Sequence, residues 1–465
     1  VRRAVIEAAI AAVVAFVTSL IVFGPLLGDL DVGWAGGDML STYVNTHAWN
    51  GFGYGVSTHF GFPLGMNLNY FPGIDITENT FAMVVDNLTG STFLGINLLV
   101  VLSFPLVAAL AYLVIRMTGL RGPLAIALAV AFTFIPFHWG RALGHTYLST
   151  LYSAVLGLAL VMLVASGTWE RRRSWRLWLI VSVMAVGIAW TGVYYVAFTL
   201  ILGLFALVWR IAQRTGIKAL VLDAVPFAGV AVLAAIGFVP SLLALKGDEP
   251  LQSLGERMAS ESVTYAGNLA MAILPIPQSV VPRMGYYNEA VLRAFADAPY
   301  SESNVITNFG TWITALALVV FAIALVTRGR QASATPKQTK TAQQPSTRVG
   351  LGLIAYFAVV TVLFFVPWGL NFLFAEFVTP QIRGWNRLLP ILLLLFILGA
   401  AAGLQRTRIA RQWSIAVPVA IVALALVAVD SVYPFKTAYA GSVADAGATT
   451  RAARDYAAKV NSAIP

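Results

Sequence analysis

Apolar runs of membrane-spanning length recur along this chain, and they constrain its fold more than any other feature. About 20 helical residues cross a 30 Å hydrocarbon core. Runs of that order occur eleven times, at roughly 4–27, 92–115, 122–137, 147–166, 177–190, 194–209, 219–245, 311–327, 350–368, 388–404 and 415–430. The expected fold is therefore an all-α polytopic membrane protein with about 11 transmembrane helices. The charge content agrees, at 11% of residues against about 25% in soluble domains. The N-terminus starts basic like a signal peptide, but its apolar run of about 20 residues reads as a retained first span. With no cysteine in the chain, disulfides, thiolate metal sites and cysteine nucleophiles are excluded.

A net charge of +10 would suggest a nucleic-acid partner in a soluble protein. Here the basic residues follow topology, and no nucleic acid is expected. With the N-terminus inside, nineteen of the thirty Lys and Arg residues fall in the inner segments, and seventeen of the twenty acids fall outside. That bias predicts an N-in/C-out arrangement. It divides the chain into a transmembrane block at 1–327 with large outer loops 28–91 and 246–310, a linker at 328–349, a second block at 350–430, and an outer tail at 431–465. The linker is polar and low in complexity, so it is expected to be disordered. The tail contains a short amphipathic stretch and is expected to lead into a further extracytoplasmic domain. Asp223, near an inner helix end, is expected to be hydrated.

The first outer loop is the unusual one. It holds Asp29, Asp31, Asp38, Asp75, Glu78 and Asp86, while no Lys or Arg occurs from Ala4 to Ile115. Six acids without a basic neighbour in sequence could attract a cation or hold hydroxyl groups, and the aromatics between them offer faces for sugar rings. Asp38 opens a stretch in which Leu40, Tyr43, Val44 and His47 follow helical spacing, so it reads as an N-cap, a role compatible with chemistry. Asp75 and Glu78 have capping-box spacing, followed by an apolar face of Phe81, Val84, Val85 and Leu88.

Three further groups stand out. IPFHWGRALGHTYLS carries His138, Arg141 and His145 at spacings that would share a helical face. An arginine between two histidines suits an anion such as phosphate better than zinc, with interfacial snorkelling as the alternative. IRGWNR places Arg383 and Arg387 at a helix start, poorly placed for the macrodipole and well placed to clamp a lipid phosphate. Glu261 and Glu302 are the most interesting acids of the second outer loop, where solvated loop charges are the plain alternative.

Taken in order, GGD in the first loop, PLGMN, DITEN, RALGH, SESNVITNFG and IRGWNR resemble bacterial members of the GT-C superfamily of membrane glycosyltransferases, which use polyprenyl-phosphate-linked sugars. The resemblance implies Asp38 as catalytic base and Arg383, Arg387, Arg141 and His145 as donor-phosphate contacts. Asp75, Glu78, Glu261, Glu302 and His138 are candidates to bind the acceptor or a cation. It implies a bacterial plasma-membrane enzyme acting on the outer face, with a glycan, lipid or protein acceptor. Some relatives use a divalent metal and others do not; GDLD is the closest approach to a DxD motif, so metal dependence stays open.

The expected activity is inverting transfer of a sugar to an acceptor hydroxyl. The alternative is a transporter or flippase of a lipid-linked saccharide, which would want ionisable residues at helix centres; almost none are seen, and no internal repeat is evident. A membrane O-acyltransferase would want a buried histidine, whereas the four here read as lying near the outer face.

Overall fold

The computed structural model describes residues 2–34, 38–48, 56–57, 66–67, 75–172, 174–244, 257–276, 309–334 and 348–463. Among them eight helices are long and apolar enough to cross a membrane, or up to ten spans if each of two bent pairs counts as one. The chain is helical and of the multi-pass membrane class. The run expected at 177–190 forms a helix of 15 residues, shorter than the about 20 needed to cross a full hydrocarbon core.

Helices of seven residues or more are labelled in chain order. The first half contains α1 (Arg2–Phe23), α2 (Asp38–Ala48), α3 (Ile76–Thr89), α4 (Thr92–Met117), α5 (Pro123–Thr133), α6 (Pro136–Ala142), α7 (Tyr152–Ala165) and α8 (Trp175–Ala189). The second contains α9 (Val193–Ala212), α10 (Ile217–Ala244), α11 (Trp312–Ala334), α12 (Leu351–Phe365), α13 (Leu370–Phe377), α14 (Leu389–Leu404), α15 (Trp413–Val427) and α16 (Tyr433–Ala463). The only described strands are two-residue pieces, Val56–Ser57 against Met66–Asn67.

Two spans are broken. Between α5 and α6 the axis turns by 42°, with Pro136 starting the second piece; its ring cannot continue the hydrogen-bond ladder. Between α12 and α13 the turn is 62°, through Trp368 at φ 59, a left-handed conformation that is strained for a bulky residue.

The core is organised on α14. Every residue from Leu389 to Ala402 is buried, as a helix apolar on all sides must be. It packs against α4, α5 and α7 of the N-terminal block as well as α11 and α12. Gly399 allows this: a Cβ there would overlap the ring of Phe321 on α11.

Three expectations are corrected. First, α11 continues to Ala334, so residues 328–334 of the expected disordered linker are helical; 335–347 lie outside the described residues. Second, the tail is a 31-residue helix, α16, instead of a short amphipathic stretch. It folds back on the segment after α1, where Arg451 pairs with Asp29 at 3.2 Å and Arg454 with Asp31 at 3.0 Å. Third, Asp223 is fully buried and receives the Arg210 Nε at 2.8 Å. Arg210 also bonds Glu170, and pairing of this kind is what makes a buried carboxylate tolerable.

Candidate functional site

The two acids expected to cap α3 do something else. Asp75 stands at the N-cap position, but its side chain makes no cap hydrogen bond. Its Oδ1 accepts the backbone N–H of Gly192 at 3.0 Å, and the Thr77 N–H donates to the Trp190 carbonyl at 3.1 Å. The start of α3 is thereby strapped to the turn between α8 and α9. That turn exists because Gly192 takes φ +66, a conformation glycine adopts without cost.

Glu78 turns fully inward. Its Oε1 accepts from the Tyr152 hydroxyl, which also meets Thr191 Oγ1 at 3.1 Å. Its Oε2 has no hydrogen-bond partner among the described residues. Burial, reinforced by the nearby Asp75 charge, pushes Glu78 up to about 8; burial pushes Asp75 up to about 6 against the pull of the Gly192 N–H. Both carboxyls are held above their ordinary range, Glu78 the further of the two, an arrangement suited to sharing a proton.

The buried face of α3 is Glu78, Asn79, Ala82, Met83 and Asp86, while Val84 and Leu88 are exposed. The expected apolar face is thus turned outward and the polar one faces the protein. The physical reason is the set of partners waiting there. Asn79 accepts from Thr46 of α2 at 3.2 Å and from Tyr147, and Asp86 accepts from Thr92 at 2.9 Å.

Helix α2 begins at Asp38, whose side chain lies outside the described residues. Its buried face is Met39, Thr42, Tyr43 and Thr46; Leu40, Val44 and His47 are exposed, so only Tyr43 of the expected face packs inward. Tyr43 donates to Asn97 Oδ1 at 2.6 Å, and Asn97 in turn donates to the carbonyls of Leu30 and Val32. The helix that starts at Asp38 is therefore held at a set angle on α4.

The basic residues gather on the other side of the same α8–α9 turn. Arg387 lies over the Tyr194 ring at 4.0 Å and forms no ion pair among the described residues. Its stem folds back over Gly384, where a Cβ would come within 2.8 Å of Nε. Trp385 anchors this segment, fully buried between Phe198, Phe364 and Phe374. Arg141, nearly buried on α6, and Arg387 both lie in electrostatic range of the Tyr195 hydroxyl.

Arg383 is differently engaged. It bonds Glu261 at 2.7 Å, which raises its pKa further, and lies over the Tyr265 ring at 4.8 Å. Of the two arginines expected to clamp a phosphate, Arg383 is thus paired with Glu261, while Arg387 has no ion pair among the described residues. His138 and Arg141 share α6 at a spacing of three, but His145 does not join them, because α6 ends at Ala142 and His145 sits at the N-cap of a 3₁₀ turn. His138 is a core histidine, stacked on Phe104 at 4.0 Å, with Nε2 meeting Ser103 at 2.9 Å and Nδ1 the Thr133 carbonyl at 2.7 Å. Glu302 lies outside the described residues.

An apolar groove of about 530 Å³ runs between α9 and α10. Its walls are Ala197 to Leu207 on α9 and Ala224 to Ala231 on α10, and Phe374, Thr379 and Ile382 close its upper end. Ile382 precedes Arg383, and Tyr194 is one helical turn above Ala197. An apolar slot lined by the residue before Arg383, one helical turn from the Tyr194 ring that Arg387 covers, matches an amphiphile with an anionic head. Among the described residues no three His, Asp or Glu side chains converge as a metal-binding set.

The acids and arginines expected from sequence thus flank one turn, 190–195. Sequence reading missed that turn's own contribution: Thr191, Gly192, Tyr194 and Tyr195, with Tyr147 and Tyr152 beneath. TGVYY was readable as a break between spans, and two tyrosines beside a glycine were the available signal. No protein-family model matches the chain, and no curated protein is similar enough to count as a relative.

Proposed function

We propose that the chain is a membrane glycosyltransferase that moves a sugar from a polyprenyl-phosphate donor to an acceptor hydroxyl on the face opposite its basic loops. The observation that carries this reading is the apolar groove lined by Ile382 and Ala197, neighbours along the chain of Arg383 and of Tyr194, whose ring Arg387 covers. A polyprenyl chain suits such a slot, and the phosphate would meet the guanidinium whose only described counterpart is an aromatic face. The acids strapped to the same turn would lie toward the sugar and acceptor hydroxyls.

In this mechanism the Asp38 carboxylate takes the acceptor hydroxyl proton while that oxygen attacks the anomeric carbon. The bond from carbon to phosphate oxygen breaks with its electron pair passing to the phosphate, where Arg387 and Arg141 stabilise the developing charge. Phosphate leaves without protonation. Buried Glu78 holds the Tyr152 hydroxyl behind the site, and Asp75 holds the turn that carries Tyr194.

The test is product analysis with the purified chain and a panel of polyprenyl-phosphate sugars. A glycosylated product that is lost in Asp38→Asn, with donor binding retained, supports the reading. Movement of lipid-linked sugar across proteoliposomes without any glycosyl product would replace it with the transporter reading.

A further inference from the structure

A second cavity, of about 400 Å³, opens at the arginine-rich end of the bundle, away from the site just described. Arg3 of α1, Arg121 of the α4–α5 turn, Arg348 and Arg411 line it, with Trp413 at the start of α15. No carboxylate lines it. The acid beside it, Glu7, is already engaged by Arg3 at 2.8 Å, Arg116 at 3.7 Å, the Tyr112 hydroxyl and the Gly122 N–H. Arg121 and Arg411 form no ion pair among the described residues. Arg121 and Arg411 thus face one cavity without a counter-charge among the described residues, and a multivalent oxygen anion would relieve the repulsion between such guanidiniums with paired hydrogen bonds.

The four arginines are exposed, and the backbone between them is closely packed. Gly119 takes φ +99, and a side chain there would overlap Gln405 and crowd the Arg348 stem at 3.1 Å. The surroundings distinguish a lipid from a soluble anion. α1 and α15 both pack on α5, and each carries an outward apolar face, with Val5 60%, Val13 61% and Ile421 60% exposed. Trp413, 61% exposed, sits at the end of α15, where tryptophan marks the headgroup level of a bilayer.

We propose that this cavity binds the phosphodiester headgroup of an anionic phospholipid, whose acyl chains lie along the exposed faces of α1 and α15. The assignment is independent of the glycosyl-transfer reading.

The experiment is lipid binding to the purified full chain in neutral detergent, read by native mass spectrometry and by thermal stability. The probes are phosphatidylglycerol, phosphatidylcholine and inorganic phosphate. Phosphatidylglycerol should be retained and stabilise the protein, and phosphatidylcholine should not. The Arg121→Gln/Arg411→Gln variant should bind phosphatidylglycerol about 30-fold more weakly, at about fivefold per guanidinium, with lipid-free stability unchanged. Equal stabilisation by both lipids, or an unweakened variant, overturns the proposal. Stabilisation by inorganic phosphate alone overturns the lipid assignment in favour of a soluble anion. Should the variant fail to fold, salt decides on the native chain: about 0.5 M NaCl should weaken phosphatidylglycerol binding, and no change overturns the proposal.

Discussion

Glu78 carries most of the electrostatic tension of the candidate site. Its folded-state pKa of about 8, and that of Asp75 at about 6, lie above the usual carboxylate range near 4. The folded chain therefore holds protons that the unfolded chain releases, and stability falls as pH rises. The Asp75 share is lost between about pH 4 and 6 and the Glu78 share between about pH 4 and 8. Glu78→Gln keeps an acceptor for Tyr152 and carries no charge, so its stability should decline less from pH 6 to 8 than that of the native chain. Melting temperatures in detergent across that range check this; parallel profiles would mean that Glu78 is not buried as described. Arg387→Ala removes the cation over Tyr194 and should cut transfer about 100-fold, the scale of one lost charge-stabilising donor. An initial-rate assay reads it directly.

At the scale of elements, one turn joins α3, α9 and the 384–387 segment, and its geometry rests on two glycines. Gly192 supplies the positive φ, and Gly384 supplies room for the Arg387 stem. Gly384→Ala should displace that stem and lower transfer in the same direction as Arg387→Ala. Its melting temperature should change little, since Trp385 still anchors the segment. The groove offers a cleaner separation of roles. Ala228 lines it on an exposed stretch of α10, so Ala228→Trp should fill it without disturbing the core. KM for a long polyprenyl donor should rise while a short-chain analogue is spared; equal effects on both would show that the groove does not hold the lipid.

For the whole molecule, ion pairs of opposite energetic character tie distant parts together. The α16 pairs with Asp29 and Asp31 are about half exposed, a setting in which a pair is worth about 0–1 kcal/mol. Arg210 is buried against Asp223, and removing one member of such a pair costs about 3–5 kcal/mol. Arg454→Ala should therefore leave unfolding in denaturant nearly unchanged, while Arg210→Ala should destabilise the chain severely. The same pairs revise the acidity of the first outer loop. Two of its six acids are neutralised from the tail, more than 400 residues along the chain, and Asp86 is taken up by Thr92.

The multi-pass helical class, the break at Pro136, the arginines of IRGWNR and the acids of the first loop were all readable from sequence, while the eleven runs resolve into eight to ten candidate spans among the described residues. Those features depend on local quantities, the transfer free energy of a run and the backbone limits of proline and glycine. The inward turn of Glu78, the loss of Arg383 to Glu261, the core role of His138 and the partners of Asp29 and Asp31 came only with the tertiary structure. On α3 the apolar stripe points outward because Thr46, Tyr147 and Tyr152 satisfy the polar one. A side chain's charge state and partner depend on what packing brings beside it, and no periodicity within a single helix encodes that.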